Sequence, residues 1–312
     1  VVEADESDGS FAKLKPTVAV VTNIDPEHLD PHGTFEALEP AFSNFVASIP
    51  FYGFATLCID HPSVQRLMAG INDRRIITYG MVAAADVRAL NMRVDGASMI
   101  FDAQLSDRAA GDATTITDIR FPMLGDHNVQ NCLAAIAVAL EMNIEADSIR
   151  DALADFGGVG RRFETKGVSH GVTIIDDYGH HPVEINAALK AGRMMCGENK
   201  LIAVVQPHRY SRLADLFVDF CGCFHDADEV LVADVYAAGE TPIDDINRDS
   251  LVNGLRDHGH KAASALLHRD DLAAEIKART SAGDLVMCLG AGDITNWAAT
   301  LPDELDKLGD AE

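Results

Sequence analysis

A dense set of titratable side chains follows one short apolar run of this sequence. The run Val172 to Ile175 is β-branched and uncharged, which is typical of a buried strand. The residues that follow it directly are Asp176, Asp177, Tyr178, Gly179, His180 and His181. Pro182 then opens a helical pattern, where its missing N–H costs nothing. Carboxyl, phenol and imidazole groups in one strand-to-helix turn can exchange protons or bind a polar ligand. The alternative is a polar turn in which an aspartate caps the next helix.

Three further apolar runs in the second half of the chain also end in polar or glycine-rich segments. These segments are Gln206 to Arg212, Asp234 to Glu240 and Gly290 to Asp293. The carboxyl ends of parallel strands share one edge of a doubly wound sheet, so we expect these side chains to converge on one crevice. Arg209 and Arg212 are three residues apart at a predicted helix start, which favours an anionic ligand. Surface arginines at a solvated helix start are the alternative.

The first half of the chain offers a second group of candidates. Glu3 and His28 each follow a predicted buried strand, and a carboxylate with an imidazole can hold a hard divalent cation beside phosphates. A structural role for His28 is the alternative. Asn128 and Asn131 lie three residues apart at a predicted helix start, where they can contact an adenine edge or cap the helix.

Regular alternation of strand and helix patterns organises the second half. We predict strands at 172–175, 201–205, 229–233, 262–266 and 285–289. We predict helices at about 183–196, 211–225, 248–257, 270–280 and 293–300. This alternation predicts a parallel sheet with right-handed crossovers. The glycine-dense segment 157–162 predicts a domain boundary, which gives domains 1–158 and 159–312.

The first half is predicted to be α/β as well. Val1 to Ala4 resembles a strand end, and Val18 to Val21 is apolar enough for burial on both faces. Further strands are predicted at 55–59 and 75–79, with helices at 35–49, 62–68, 125–142 and 147–156. Residues 86–123 alternate in a β-like manner, with turns at Asp95-Gly96 and Gly111-Asp112. They predict an antiparallel hairpin region attached to the parallel sheet.

Composition restricts the classes of partner. The 312 residues carry a net charge of −24, and so strongly acidic a chain disfavours nucleic acid and anionic lipid. No apolar run reaches the ~18 residues of a membrane span, so we expect no membrane insertion. The six scattered cysteines form no C-x-x-C pair, which indicates a reducing compartment. No G-x-x-x-x-G-K-[ST] phosphate loop is present in the sequence.

Eight motifs in order closely resemble the Mur ligase family, and within it the branch that adds L-alanine to UDP-N-acetylmuramate in bacterial peptidoglycan synthesis. The motifs are E-A-D-E-S-D (3–8), N-I-D-P-E-H (23–28), G-D-H-N-V-Q-N (125–131), G-R-R-F-E (160–164), D-D-Y-G-H-H-P (176–182), Q-P-H-R-Y-S-R (206–212), D-V-Y-A-A-G-E (234–240) and G-A-G-D-I (290–294). The resemblance implies a UDP-binding domain, a central ATPase domain and a Rossmann-like C-terminal domain. It also implies that this chain starts inside the central domain, without the UDP domain and the phosphate loop, and is inactive alone.

The resemblance also implies the cofactors, substrates and site residues. It implies ATP, Mg²⁺, UDP-N-acetylmuramate, L-alanine and a cytoplasmic location. Glu3 and His28 resemble the ligands of two magnesium ions. The residues that resemble adenine contacts are His127, Asn128 and Asn131. Arg162 and Asp177 resemble ribose and phosphate-side contacts across the interdomain cleft. The residues that resemble the shell around L-alanine and the acyl-phosphate end of the muramate are Tyr178, His180, His208, Arg209 and Arg212. We expect Asp177, His180, His208, Arg209 and Arg212 to be catalytic, with His180 or His208 as the proton acceptor for the amine.

Three alternatives stay open on the sequence alone. A murein peptide ligase shares the E-A-D-E and H-H-P motifs but adds a preformed peptide. A metal-dependent hydrolase would use His28, His180, His181 and His208, although none of these pairs has H-x-x-x-H spacing. A non-catalytic binding module is the third alternative. The sequence does not fix the oligomeric state.

Overall fold

The computed structural model describes residues 1–4, 10–24, 35–106 and 113–309. The chain forms two compact units, one of Val1–Pro122 with Asp126–Phe156 and one of Met123–Gly125 with Gly157–Glu312. The predicted α/β class is confirmed, and each unit contains a six-stranded mixed sheet. The predicted boundary between residues 158 and 159 stays a prediction.

The first unit begins with a short 3₁₀ helix, Ser10–Lys13. Its strands are β1 (Val18–Val21), β2 (Phe54–Cys58), β3 (Arg75–Gly80), β4 (Val87–Asp95), β5 (Ser98–Ser106) and β6 (Ala113–Phe121). Its helices are α1 (Phe35–Ala47), α2 (Pro62–Ala69), α3 (Asp126–Glu141) and α4 (Ala146–Ala154). The strands lie in chain order, parallel from β1 to β4 and antiparallel from β4 to β6. The predicted hairpin region on a parallel sheet is therefore confirmed.

Two details of the first unit differ from the sequence-based expectation. Residues 1–4 have no regular structure, so the strand end predicted there is wrong. Val20 of β1 is 44% exposed, although burial on both faces was expected. Strand side chains alternate between the two faces, and only the face of Ala19 and Val21 packs into the core of this unit. The predicted turn at Gly111-Asp112 lies outside the described residues.

The second unit has a sheet in the order β11-β10-β9-β12-β8-β7. Its strands are β7 (Glu164–Ser169), β8 (Val172–Asp177), β9 (Leu201–Val205), β10 (Glu229–Val232), β11 (Ala263–Ala265) and β12 (Leu285–Leu289). Its helices are α5 (Pro182–Cys196), α6 (Tyr210–Asp215), α7 (Phe217–Gly222), α8 (Arg248–Asp257), α9 (Leu272–Arg279) and α10 (Ile294–Gly309), with a 3₁₀ turn at Arg269–Asp271. All five predicted strands are present and pair in parallel.

Strand β7 was not predicted, and it pairs antiparallel to β8 with an irregularity between Thr165 and Gly167. Its sequence has no apolar run, so periodicity alone does not reveal it. The single helix predicted over 211–225 is also wrong in detail, because α6 and α7 are separated at Leu216.

Alternation along the buried strands places helices on both faces of this second sheet. One set of strand residues, including Ile175, Val205 and Met287, packs into a core with residues of α5, α7 and α8. The alternate set, including Ile174 and Cys288, packs with residues of α9 and α10. The two-residue period thus gives a doubly wound sheet, and the neighbouring strands β9, β12 and β8 end at one edge.

All six cysteines are buried free thiols. None of the described helices has both the length and the apolar character that a membrane crossing requires.

Leu189→Ala tests the core between α5 and the sheet. Leu189 is 0% exposed, so we expect the free energy of unfolding to fall by about 2–5 kcal/mol through lost burial and a cavity. Leu267→Ala is the matched control, because Leu267 is 58% exposed and its loss should change stability by only about 0.5 kcal/mol. Urea unfolding followed by the fluorescence of Trp297, the only tryptophan, measures both. Equal losses would contradict this packing.

Candidate active site

The turn after β8 is organised by the buried side chain of Asp177. Its Oδ2 accepts a hydrogen bond from the backbone N–H of Phe163 at 2.8 Å, and its Oδ1 accepts one from Gly179 at 2.8 Å. Its carbonyl oxygen accepts from the N–H of Gly290 at 3.1 Å. Burial raises the pKa of Asp177, although the two N–H donors and Arg162 oppose that shift. Gly179 is required here, because a Cβ would lie 2.8 Å from Asp177 Oδ1.

The cap of α5 is His181, and neither aspartate of the turn serves as the cap. The side chain of His181 accepts from the N–H of Val183 at 3.3 Å, and Glu184 accepts from the N–H of His181 at 3.3 Å. Together they form a capping box with an unusual first residue. The interpretation of this turn as an aspartate cap is therefore wrong.

Asp176 is 0% exposed and anchors the glycine turn after β12 to β8. Its Oδ2 accepts from Thr295 Oγ1 at 2.6 Å and lies 3.5 Å from Lys166 Nζ and 3.8 Å from Arg161 Nε. Arg161 in turn donates from Nη2 to the carbonyl oxygen of Gly290 at 2.7 Å. The Arg161 guanidinium also lies over the ring of Tyr178, 4.7 Å from its centroid. The buried carboxylate thus holds the cation that covers the tyrosine.

His180 lies between Tyr178 and His208. Its ring centroid is 5.1 Å from that of Tyr178 and 6.0 Å from that of His208. Its Nδ1 is 3.0 Å from the carbonyl oxygen of Tyr178 and 3.3 Å from Glu184 Oε2. A carbonyl oxygen and an ionised carboxylate can only accept hydrogen bonds, so the nitrogen that faces them, Nδ1, carries a proton.

Glu184 is the carboxylate that these neighbours share. Its oxygens accept from the N–H of His180 at 3.1 Å and from Arg162 Nη1 at 3.2 Å. Burial alone would raise the pKa of Glu184, but His180, its backbone N–H and Arg162 outweigh burial and lower that pKa. Glu184 is therefore ionised at neutral pH.

His208 is a neutral imidazole beside arginines. Its ring stacks on Tyr236 at 5.5 Å and 9°, and Arg212 Nη1 lies 3.4 Å from its Nδ1. Burial, Arg212, His180 and Arg209 together lower the pKa of His208 to about 4. Because a guanidinium can only donate, Nδ1 of His208 accepts and its proton is on Nε2.

The two arginines after β9 have different surroundings. Arg209 is exposed, with a φ of 70°, and its N–H donates to the carbonyl oxygen of Tyr236 at 2.9 Å. Arg212 is partly buried and reaches back to His208. Since α6 is only six residues long, any anion at this position would be held by the side chains and not by a helix dipole.

The glycine turn after β12 is a close packing contact. A Cβ at Gly290 would lie 2.6 Å from the carbonyl oxygen of Gln206, and one at Gly292 would meet Gln206 Oε1. The Gln206 side chain donates to Asp293 Oδ1 at 2.7 Å and accepts from the N–H of Ile294 at 3.2 Å. These contacts favour a tight connection at this turn.

The first unit holds the candidates at the start of α3. At the start of α3, His127 and Asn131 are exposed and Asn128 is 7% exposed. Asp60 positions this helix, because its Oδ2 accepts from Gln130 Nε2 at 2.7 Å and from the N–H of Met81 at 2.8 Å.

The predicted metal ligands are only partly described. Glu3 is exposed, and His28 lies outside the described residues. Within the described ranges, no three His, Cys, Asp or Glu side chains are grouped as a metal site. His181, one of the four histidines of the hydrolase alternative, is used as the cap of α5.

The structure therefore brings together most of the predicted residues of the second unit. The cluster around His180 contains Asp177, Tyr178, His208, Arg162 and Arg212, with Arg209 exposed beside it. Sequence reasoning missed Glu184, Arg161 and Tyr236 as site residues. The spacing His181-x-x-Glu184 was a usable signal for Glu184, because it has the form of a capping box.

Comparison with known proteins identifies the family. The model described as "Mur ligase middle domain" matches residues 1–139, and that described as "Mur ligase, glutamate ligase domain" matches residues 161–292. The chain belongs to the Mur ligase family. A UDP-N-acetylmuramate--L-alanine ligase from Rhodospirillum centenum is 58% identical over 308 residues, which are 99% of this chain and 64% of that protein. The chain thus spans about two thirds of the length of the curated relatives it matches.

Solved Mur ligases share the fold of the chain. A UDP-N-acetylmuramate-alanine ligase from Thermotoga maritima superposes with a TM-score of 0.76 at 22% identity, covering 99% of this chain and 63% of that one. A murein peptide ligase from Psychrobacter arcticus gives a TM-score of 0.62 at 21% identity, covering 95% of this chain and 59% of that one. At these identities the comparison shows a common architecture.

We expect His208 of this Mur ligase chain to titrate at about pH 4, and NMR of the imidazole C–H signals measures this. Arg212→Gln should raise the pKa of His208 by removing a nearby cation, whereas Arg150→Gln in the first unit should not. Between pH 6.5 and 4 the unfolded chain binds a proton that folded His208 does not. The free energy of unfolding should therefore fall by about 1–3 kcal/mol as the pH falls through this window. A pKa near 6.5 in the parent would contradict the geometry.

Asp176→Asn should lower the free energy of unfolding by about 1–3 kcal/mol. The amide removes the charge that faces Lys166 and Arg161 and weakens the acceptor for Thr295. Asp303→Asn, an exposed change in α10, should cost less than about 0.5 kcal/mol. Denaturant unfolding followed by Trp297 fluorescence separates the two variants. An Asp176→Asn variant as stable as the parent would disprove the anchoring role.

Proposed function

We propose that the chain is the ATP-binding and amino-acid-adding part of a UDP-N-acetylmuramate–L-alanine ligase. The reaction would join L-alanine to the lactyl carboxylate of UDP-N-acetylmuramate in bacterial peptidoglycan synthesis. The 58% identity to the Rhodospirillum centenum relative supports this specificity. The observation that carries it is the cluster of His180 and His208 with the ionised Glu184 and the cation of Arg212. ATP and a UDP-linked sugar as substrates favour the bacterial cytoplasm.

The first half-reaction would use the first unit. A lactyl carboxylate oxygen attacks the γ-phosphorus of ATP, ADP leaves, and an acyl phosphate remains. In this proposal the exposed side chains of His127 and Asn131 contact the adenine, with Asn128 packed behind them. Bound Mg²⁺ would neutralise charge on the phosphates, and the exposed carboxylate of Glu3 would supply an oxygen ligand of the kind that Mg²⁺ prefers.

The second half-reaction would use the cluster around His180. Arg209 and Arg212 place positive charge beside the imidazoles, as an alanine carboxylate or an acyl phosphate requires. His208 keeps its proton on Nε2 at neutral pH and can donate it to a substrate oxygen as a hydrogen bond. Asp177 acts by holding the turn that presents Tyr178 and His180. Arg162 remains our candidate for a nucleotide contact because it is exposed.

Imidazole loss tests this function in a full-length ligase that carries this chain. His180→Ala and His208→Ala should each reduce kcat, by about 10²–10⁴-fold for whichever imidazole accepts the amine proton. The assay follows ADP formed in the presence of UDP-N-acetylmuramate and L-alanine. His170→Ala, an exposed histidine, is the control and should keep parental activity.

The substrate is tested separately by competition between L-alanine and a murein tripeptide. We expect the product to contain L-alanine alone. Preferential use of the tripeptide would make the protein a murein peptide ligase, and full activity of both histidine variants would remove the cluster from the reaction.

A further inference from the structure

We propose that Glu184 is a positioning residue that makes His180, and not His208, the proton acceptor for the incoming amine. This inference rests on the proposed ligase function and deepens it. The His181-x-x-Glu184 spacing indicates only a structural role for Glu184, in the cap of α5. The assignment comes from the hydrogen-bond partners of the two imidazoles, which impose opposite tautomers on them.

The tautomer of His180 is fixed by two acceptors on the same nitrogen. Nδ1 is 3.0 Å from the carbonyl oxygen of Tyr178 and 3.3 Å from Glu184 Oε2. A proton on Nδ1 hydrogen-bonds to the carbonyl oxygen of Tyr178 and faces the carboxylate of Glu184, so the neutral ring has its lone pair on Nε2. A carboxylate on the far side of the ring also stabilises the imidazolium that forms when Nε2 takes a proton.

The surroundings of His208 favour the opposite behaviour. Its Nδ1 faces a guanidinium nitrogen of Arg212 at 3.4 Å, so its lone pair is turned to a cation and its proton is on Nε2. A second proton on this ring would add a positive charge beside Arg212, Arg209 and His180. The ring therefore resists protonation and suits a hydrogen-bond donor.

Glu184 is held in the position that this role requires. It sits at the third position of α5 and accepts backbone N–H groups of His180 and His181. Arg162 Nη1 contacts its other oxygen at 3.2 Å. Three donors thus converge on one carboxylate, and its Oε2 lies 3.3 Å from His180 Nδ1. The ionisable and charged groups around that ring come from four segments and are Arg161, Arg162, Tyr178, Glu184, His208 and Arg212.

The chemical step balances with these groups. The alanine ammonium gives one proton to His180 Nε2, which leaves a neutral amine and an imidazolium. The nitrogen lone pair forms a C–N bond with the carbonyl carbon of the acyl phosphate. The C–O bond to phosphate then breaks, and phosphate departs with that electron pair and with the second N–H proton of the amine. The third N–H proton stays in the amide, and the imidazolium returns its proton to water.

Glutamine separates this role from the structural role of Glu184. Gln also serves at the third position of a capping box, so Glu184→Gln retains the helix cap and removes only the negative charge. Glu184→Ala removes both. We therefore expect Glu184→Gln to melt at the parental temperature and Glu184→Ala to melt lower.

The test compares two nucleophiles in a full-length ligase carrying this chain. With L-alanine at pH 7, Glu184→Gln should lower kcat by about 10²-fold and leave the KM for L-alanine unchanged, because proton removal is impaired and binding is not. Hydroxylamine is mostly unprotonated at pH 7 and traps the acyl phosphate as a hydroxamate without needing a base. With hydroxylamine, the rate of hydroxamate formation by Glu184→Gln should equal that of the parent. Glu198→Gln, an exposed charge loss beyond the far end of α5, should match the parent with both nucleophiles.

Each outcome bears on one hypothesis. If the parent does not ligate L-alanine, the proposed function fails, whatever the variants do. If the parent is active and Glu184→Gln is unimpaired with L-alanine, or equally slow with both nucleophiles, Glu184 does not position a proton acceptor. A larger kcat loss with His208→Ala than with His180→Ala, relieved by hydroxylamine, would assign the proton transfer to His208 and overturn the inference.

Discussion

The buried carboxylate of Asp177 is the contact on which the candidate site depends. One side chain ties the loop before β7 to the turn after β8, and its own carbonyl oxygen holds the turn after β12. Burial of this acid is unfavourable, and two backbone N–H groups offset part of that cost. Since Tyr178 and His180 follow immediately in the chain, their rings are aimed by this arrangement. The position of the imidazoles is thus a property of the sheet edge and not of a mobile loop.

Much of this framework is predictable because buried parallel strands have a simple sequence signature. The runs at 201–205 and 285–289 were predicted to the residue, since both are apolar on every position and bounded by polar segments. Strand β7 has no such signature and is stabilised by pairing with β8, which is a tertiary contact. Likewise, the interruption at Leu216 between α6 and α7 follows no proline or glycine within that segment.

Without the family resemblance, prediction of the site goes only as far as the rule that strand ends converge. That rule places Asp177, His180 and His208 at one edge of the sheet from the sequence alone. The rule could not distinguish the two aspartates. Asp177 holds the turn, and Asp176 lies beside Arg161. The rule also could not show that the rings of His180 and His208 differ in protonation. The ring of His208 stacks on Tyr236, which is 28 positions away in the sequence (236 minus 208). The overall charge of −24 gives no hint of a site where arginines suppress protonation.

The two outer strands of the second sheet have a consequence for self-association. Strand β11 is only three residues long, and β7 carries an irregularity and the charged pair of Glu164 and Lys166, whose atoms lie 2.8 Å apart. Short, charged or bent borders give a neighbouring molecule little regular backbone to pair with. The fully apolar strands lie between them, shielded on each side. Concentrated solutions of the protein should therefore resist the edge-to-edge strand pairing through this sheet by which many β-rich proteins aggregate.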